Sequence, residues 1–142
     1  LPDIRRVFQY HGAEHKSIMT YEHELSLDVS NAMTQTRFHP RCGTIFIFFV
    51  LFLSIFIYTI FPSPELFWMK LAQRVALLPL IAGVSYEVLK LSAKYENHFF
   101  IRLFTKPGLA FQRVTTKEPD EKQLEVGLAA LRRALELEKN NS

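Results

Sequence analysis

The run from Thr44 to Phe61, TIFIFFVLFLSIFIYTIF, constrains the fold more than any other segment, because it contains no charged residue, glycine or proline. As a helix it would be about 27 Å long, close to the roughly 30 Å hydrocarbon core of a bilayer. A buried core helix or a pair of strands is the alternative, since Ile, Phe and Val also form strands well. We interpret the run as a membrane span, because it is apolar on every face. Its position well inside the chain excludes a cleaved signal peptide.

A second apolar segment covers residues 71–91 and is interrupted by Arg74, by Pro79 and by Glu87. Membrane helices tolerate such interruptions where neighbouring protein satisfies the freed backbone groups, and an acidic residue within one usually faces the bundle interior. Glu87 is therefore a candidate functional residue and a further candidate metal ligand. The alternative is a carboxylate at the membrane interface on the outermost turn.

Residues 62–70 connect the two apolar segments and contain prolines and interfacial aromatics, so we predict a transmembrane hairpin. Lys and Arg crowd the outer flanks of the pair, at positions 5, 6, 16, 37 and 41 before it and 90, 94, 102, 106 and 113 after it. The positive-inside rule then places both termini in the cytoplasm, in a multi-pass protein of the inner membrane. Membrane lipids are the expected partners of these cations. Neither a nucleotide-binding glycine loop nor a nucleic-acid module occurs, so no nucleic-acid partner is expected.

The motif H-x-x-E-H at residues 11–15 is the strongest chemical signal outside the apolar segments. On a helix, His11 and His15 share one face at the spacing of two ligands to one metal ion. Glu14 lies beside them as a candidate catalytic base or further ligand, and the same pattern marks the inverzincin metalloproteases. Two surface histidines on a polar helix are the alternative interpretation.

A second cluster, His39-Pro-Arg-Cys42, contains the chain's single cysteine. A lone thiol is a free thiol, a packed apolar group or a thiolate ligand, and the nearby Arg37 and Arg41 favour the thiolate. Together with the first motif, this cluster gives a mixed nitrogen and sulfur set suited to zinc. Glu22 is a further candidate ligand, with a solvated turn carboxylate as its alternative.

The remaining segments predict a helix over Val7–Thr20, a short strand over Glu24–Ser30 and a break at Pro107-Gly108. A helix is expected to start within residues 115–121 and to carry Leu124, Leu128, Leu131 and Leu135 on one stripe. The expected class is therefore a mainly α membrane protein. It divides into a cytoplasmic metal-motif segment (1–43), a transmembrane hairpin (44–91) and a cytoplasmic or interfacial segment with an amphipathic helix (92–142).

With these motifs in view, the sequence resembles the bacterial YqhQ-like family, a domain of unknown function described as predicted metal-dependent membrane enzymes. The matching sequence segments are FQYHGAEHK at 8–16, HPRCGT at 39–44, LPLIAGVSYE at 78–87, PGLAFQ at 107–112, TTKEPD at 115–120 and Glu125-Val126. The resemblance implies members about twice as long with a further N-terminal membrane region, so this chain is expected to be the C-terminal half or a short form. The possible partners of this segment are therefore an N-terminal membrane region, a separate partner chain, or a second copy in a homo-oligomer.

Two functions follow from these observations. One is a membrane-bound zinc hydrolase, with a protease as one form, in which His11, His15 and further groups from His39, Cys42 or Glu22 bind the metal and Glu14 deprotonates water. The other is a non-enzymatic membrane protein with a structural metal site or a scaffold role. A structural zinc site is closed by four protein ligands, whereas a catalytic site keeps one position for water.

Overall fold

The computed structural model describes residues 2–95 and 98–141, and every regular element within these ranges is an α-helix. The helices are α1 (Pro2–Glu22), α2 (Val29–Thr34), α3 (Gly43–Ile60), α4 (Phe67–Lys94), α5 (Phe99–Thr115) and α6 (Glu121–Asn140). The mainly α part of the expected class is confirmed, and α1 begins five residues before and ends two residues after the helix predicted at 7–20.

The chain divides into two compact units. The terminal unit combines residues up to His39 with residues from Leu109 onward, and the central unit runs from Pro40 to Gly108. Helix α5 contributes residues to both, because its range crosses the boundary at residue 108. The predicted domain boundaries after residues 43 and 91 follow expected membrane topology and stay a prediction.

The core of the terminal unit lies where α1 and α2 pack against α6. Its buried apolar side chains are Ala13, Ala32, Leu124 and Leu128, with Leu27 and Val29 packed against them. Small residues bring the helices close together: a Cβ at Gly127 of α6 would lie 2.9 Å from Ser17 Oγ of α1. The leucine stripe predicted from the sequence thus supplies the inner face of α6.

Helix α6 begins within the predicted region, and its N-cap residue is Asp120. The Asp120 side chain accepts from the backbone N–H of Gln123 at 2.9 Å, and the Gln123 side chain accepts from the Asp120 N–H at 2.9 Å. This capping box satisfies two backbone donors that the first turn of any helix leaves without intrahelical partners.

The strand predicted at residues 24–30 is wrong: the structure has a turn there, followed by α2. Glu24 adopts a left-handed φ of 56° after the last turn of α1. The Asp28 side chain then caps α2 by accepting from Asn31 N at 2.8 Å, and the Asn31 amide donates to Ser26 O at 3.0 Å. These local side-chain bonds offer the backbone an alternative to a sheet, and they override the apolar–polar alternation.

In the central unit, α3 and α4 form an antiparallel helical hairpin, and both are long and apolar enough to cross a membrane. Near the connection, Tyr58 donates to Arg74 O at 3.2 Å and the Gln73 amide donates to Pro62 O at 3.3 Å. Only 11% of the α3 span and 17% of the α4 span is buried within the protein. Helices buried in a soluble core would be mostly covered, so this exposure favours the membrane interpretation.

The break predicted at Pro107-Gly108 is also wrong, because α5 continues through both residues. A Cβ at Gly108 would lie 3.0 Å from Ile45 Cγ1, and Ile45 is fully buried. The absence of a side chain at Gly108 therefore permits a close approach between α5 and α3 at Ile45, within the central unit. Proline within a helix removes one hydrogen bond, which packing of this kind can offset.

Candidate metal centre

Helix α1 brings His11 and His15 together on one face, as the four-residue spacing predicts. The ring centroids are 4.4 Å apart, and the rings meet edge to face with an interplanar angle of 69°. One ring nitrogen of His11 lies within 4.8 Å of a ring nitrogen of His15. Two imidazoles at this separation can bind the same ion.

Both histidines use the Nδ1 atom to hydrogen-bond a backbone carbonyl. His11 Nδ1 lies 2.9 Å from Thr115 O, and His15 Nδ1 lies 2.5 Å from Arg37 O. Because a carbonyl oxygen can only accept, Nδ1 carries the proton in each ring and Nε2 carries the lone pair. Metal-binding histidines are usually oriented by such a bond from their second nitrogen.

Burial also prepares His15 for ligation. The residue is 3% exposed, and this desolvation lowers the pKa of the imidazole below its ordinary value of 6.5. The bond to the Arg37 carbonyl and the negative charge of Glu14 act in the opposite direction but are smaller. A lowered pKa keeps the ring neutral at pH 7, the form that binds a metal ion.

His39 lies beside this pair, with its ring centroid 5.7 Å from that of His15. Its Nε2 atom is 3.2 Å from Glu22 Oε2 at the C-terminal end of α1. The structure thus brings together three of the predicted histidines and joins the predicted carboxylate Glu22 to one of them. His39 is 4% exposed, so the group lies away from bulk water.

The side chain of Gln112 holds the backbone of His39. Gln112 Oε1 accepts from the His39 N–H at 3.0 Å, and Gln112 Nε2 donates to the His39 carbonyl at 2.8 Å. Gln112 is fully buried on α5. Gln112 was not predicted as a site residue, because a glutamine in an amphipathic helix is usually solvated. Its only sequence signal is its place in the matching segment PGLAFQ.

An ion cluster fixes the segment that carries the Arg37 carbonyl. Lys16 Nζ lies 3.0 Å from Glu118 Oε2, and Arg37 Nη1 lies 3.2 Å from Glu118 Oε1. Lys16 is 5% exposed and also donates to Met33 O at 3.1 Å. The Glu118 carboxylate thus links α1 to the segment after α2.

Gly12 lets the segment after α5 approach α1 closely. A Cβ at Gly12 would lie 2.1 Å from Lys117 O, closer than any real contact permits. The Lys117 N–H also donates to Phe8 O at 2.8 Å. This contact holds residues 115–117 against α1, where the Thr115 carbonyl meets His11.

The remaining predicted site residues are Glu14, Cys42 and Glu87, while His23 is a histidine that was not predicted to belong to the site. Glu14 is exposed on α1, and His23 is exposed and donates from Nδ1 to Gln35 Oε1 at 2.8 Å. Cys42 belongs to the central unit, where its buried Sγ caps α3 by accepting from Thr44 N at 3.4 Å. Glu87 is exposed on α4. The predicted catalytic role of Glu14 and metal-binding roles of Cys42 and Glu87 stay predictions.

Over the described residues, these features define a helical protein with two candidate membrane spans and a histidine cluster in its terminal unit, in which His15 and His39 are buried. The family model described as "Protein of unknown function (DUF1385)" matches residues 1–137, so the chain belongs to this family. The resemblance to the YqhQ-like family is thereby confirmed: the chain is 44% identical over 137 residues to "Uncharacterized protein YqhQ" of Bacillus subtilis (strain 168). The match covers 96% of this chain and 43% of that relative. No solved structure matches.

Proposed function

We propose that this protein is a membrane-bound, zinc-dependent hydrolase whose metal is held by His11 and His15. The observation that carries the proposal is the hydrogen bond that each ring makes through its Nδ1 atom. Each donates from Nδ1 to a carbonyl, so each presents Nε2 as the ligand atom. A metal centre explains why two adjacent histidines both donate from Nδ1 and both keep Nε2 for a ligand bond.

The surrounding donors fit zinc better than a hard cation such as magnesium. Imidazole nitrogen and thiolate sulfur are ligands that zinc prefers, whereas magnesium requires oxygen. His39 and Glu22 supply further nitrogen and oxygen donors within the terminal unit. Cys42 remains the predicted sulfur donor because it follows His39 by three residues, a length of chain that spans at most about 11 Å.

The proposed chemistry is the hydrolysis of a polar bond. When bound, zinc supplies the Lewis acidity that makes water a nucleophile at neutral pH. Glu14 is the proposed base: its charge acts on His15, and its exposure on α1 gives it access to water. Its carboxylate accepts the proton from the attacking water and returns it to the leaving group.

The hairpin of α3 and α4 is the proposed membrane anchor. Both helices are apolar and largely exposed, and by the positive-inside rule the cations on their outer flanks support a cytoplasmic location for both termini. The histidine cluster, which precedes α3, would then act at the cytoplasmic face of the inner membrane. Its substrate would approach from the cytoplasm or from the lipid headgroup layer.

A structural metal site is the second candidate function. Dense hydrogen bonding around His15, His39 and Gln112 favours it, because such networks also serve to fix a fold. The two functions differ in what they require of Glu14. A base is indispensable to hydrolysis, whereas a solvent-exposed carboxylate contributes little to a structural site.

The deciding experiment replaces Glu14 by Gln, which preserves size but cannot accept a proton. Glu125→Gln on the exposed face of α6 is the matched control. If the protein is a hydrolase, Glu14→Gln should retain zinc and thermal stability but fail to restore function in cells that lack the native protein. Glu125→Gln should restore that function. Full complementation by Glu14→Gln would reject the hydrolase and leave the structural site.

A further inference from the structure

Glu118 joins two cations that come from different segments of the terminal unit. Its Oε2 atom lies 3.0 Å from Lys16 Nζ on α1, and its Oε1 atom lies 3.2 Å from Arg37 Nη1 after α2. The Lys16 and Arg37 side chains are only 6% and 19% exposed, whereas the Glu118 side chain is 64% exposed. A carboxylate at the surface thus bridges two cationic side chains that are largely covered by the protein.

Both cations adjoin the groups that hold the His15 ring. Lys16 follows His15 in α1, and Arg37 supplies the carbonyl that accepts from His15 Nδ1. Because the guanidinium and the carbonyl belong to one residue, a contact that holds the guanidinium also restricts the backbone that orients the imidazole. Partners of this outer kind orient metal-binding histidines, and their removal usually weakens metal binding.

We propose that Glu118 is a positioning residue for the metal centre and acts on His15 through the side chain and carbonyl of Arg37. This role rests on the proposed function, in which His15 Nε2 binds zinc. Glu118 itself binds no metal and takes no part in the hydrolysis. It favours the ring orientation in which Nδ1 donates to the Arg37 carbonyl and Nε2 is kept for the ion.

A purely structural ion pair is the alternative role for Glu118. Lys16 is 5% exposed, and its other contact is to Met33 O at 3.1 Å, so Glu118→Gln would leave a buried ammonium with less compensation. Glu118→Gln should therefore lower Tm whichever role is correct. Positioning adds an effect that a loss of stability does not produce, because the His15 ring loses its orientation and zinc affinity falls.

The first measurement is the zinc affinity of the full chain in detergent, obtained by competition with a chelator of known affinity. Glu118→Gln should bind zinc roughly 10-fold more weakly, as expected when an outer partner of a ligand is removed. Leu128→Ala is the stability control, because it opens a cavity in the core of the terminal unit and should lower Tm without changing zinc affinity. Glu136→Gln is the charge control, because its pair with Arg133 is exposed on α6.

The second measurement needs no metal and so separates the role of Glu118 from the metal centre itself. In metal-free protein with isotope-labelled histidine, NMR should detect the His15 Nδ1–H proton, because it is buried and bonded to the Arg37 carbonyl. Its absence from His15→Gln assigns the signal. The signal should be unchanged in Leu128→Ala and Glu136→Gln, and should shift or exchange with water in Glu118→Gln.

The proposal predicts weaker zinc binding and a changed His15 signal in Glu118→Gln alone. Equal zinc affinity of the parent and Glu118→Gln would overturn it, as would an equal loss of affinity in Leu128→Ala, since stability alone would then control zinc binding. A parent that binds no zinc would reject the proposed function instead. An unchanged His15 signal in Glu118→Gln would reject the positioning role in either case.

Discussion

Gln112 and His39 form a reciprocal pair, in which one buried amide side chain satisfies both the N–H and the C=O of a single residue. The two bonds are 3.0 Å and 2.8 Å long and join α5 to the segment before Pro40. The side chain thus replaces the backbone pairing that this irregular segment lacks. It also fixes the position from which the His39 ring meets Glu22 and His15.

Gln112→Leu should therefore destabilise the terminal unit markedly. The change keeps a similar volume but leaves a buried N–H and a buried C=O without partners, at a cost of about 1–3 kcal/mol for each. Gln35→Leu is the control, because its amide lies nearer the surface and bonds His23. Thermal unfolding in detergent should show a much larger fall in Tm for Gln112→Leu. Equal effects of the two changes would contradict the assigned role.

Gly12→Ala should disrupt the contact between α1 and residues 115–117. The new Cβ would meet the Lys117 carbonyl at 2.1 Å, and backbone displacement of this kind costs about 1–3 kcal/mol or more. Gly83→Ala on α4 is a matched control, because nothing lies within 4 Å of its Cβ position. Alanine there should be neutral or stabilising by up to about 1 kcal/mol.

The two alanine variants can be compared by Tm and by zinc retention. Gly12→Ala should lower both, because displaced residues 115–117 would no longer hold the His11 ring through the Thr115 carbonyl. An unchanged Tm for Gly12→Ala would contradict the close approach between the segments.

Acid should destabilise the metal-free protein through His15. Its pKa is lowered by burial in the folded state, so the unfolded chain binds more protons below the ordinary value of 6.5. The contribution of the neutral ring is complete above that value and is lost as pH falls through the folded pKa. Tm should therefore fall as the pH is lowered through and below 6.5, and less steeply in His15→Gln than in His23→Gln. Parallel pH profiles for the two variants would show that His15 does not titrate in this way.

Membrane topology can be tested by thiol labelling in a Cys42→Ser background. Ser63→Cys reports on the connection between α3 and α4, and Asn141→Cys reports on the end of α6. A membrane-impermeant reagent applied to intact cells should label position 63 but not position 141, because the outer flanks are positively charged. Labelling of both positions from the same side would rule out the hairpin.

The sequence predicted the features that depend on strong periodic patterns. The apolar runs, the pairing of His11 with His15 and the leucine stripe of α6 follow from helical spacing alone. The strand prediction at 24–30 was wrong because side-chain hydrogen bonds of Asp28 and Asn31 determine that segment. The predicted break at Pro107 was wrong because packing of Gly108 on Ile45 maintains the helix. Gln112 could not be found from the sequence, since its partner is a backbone group 73 residues away.

Zinc content tests the central claim most directly. Protein purified in detergent, loaded with zinc and dialysed should retain about one ion per chain by elemental analysis. His11→Ala/His15→Ala should lose it, because both Nε2 ligands are removed, while His23→Ala should keep it, because His23 lies exposed and bonded to Gln35. Cys42→Ser should weaken retention if the predicted thiolate contributes. Stoichiometric zinc in the His11→Ala/His15→Ala variant would contradict the proposed metal centre.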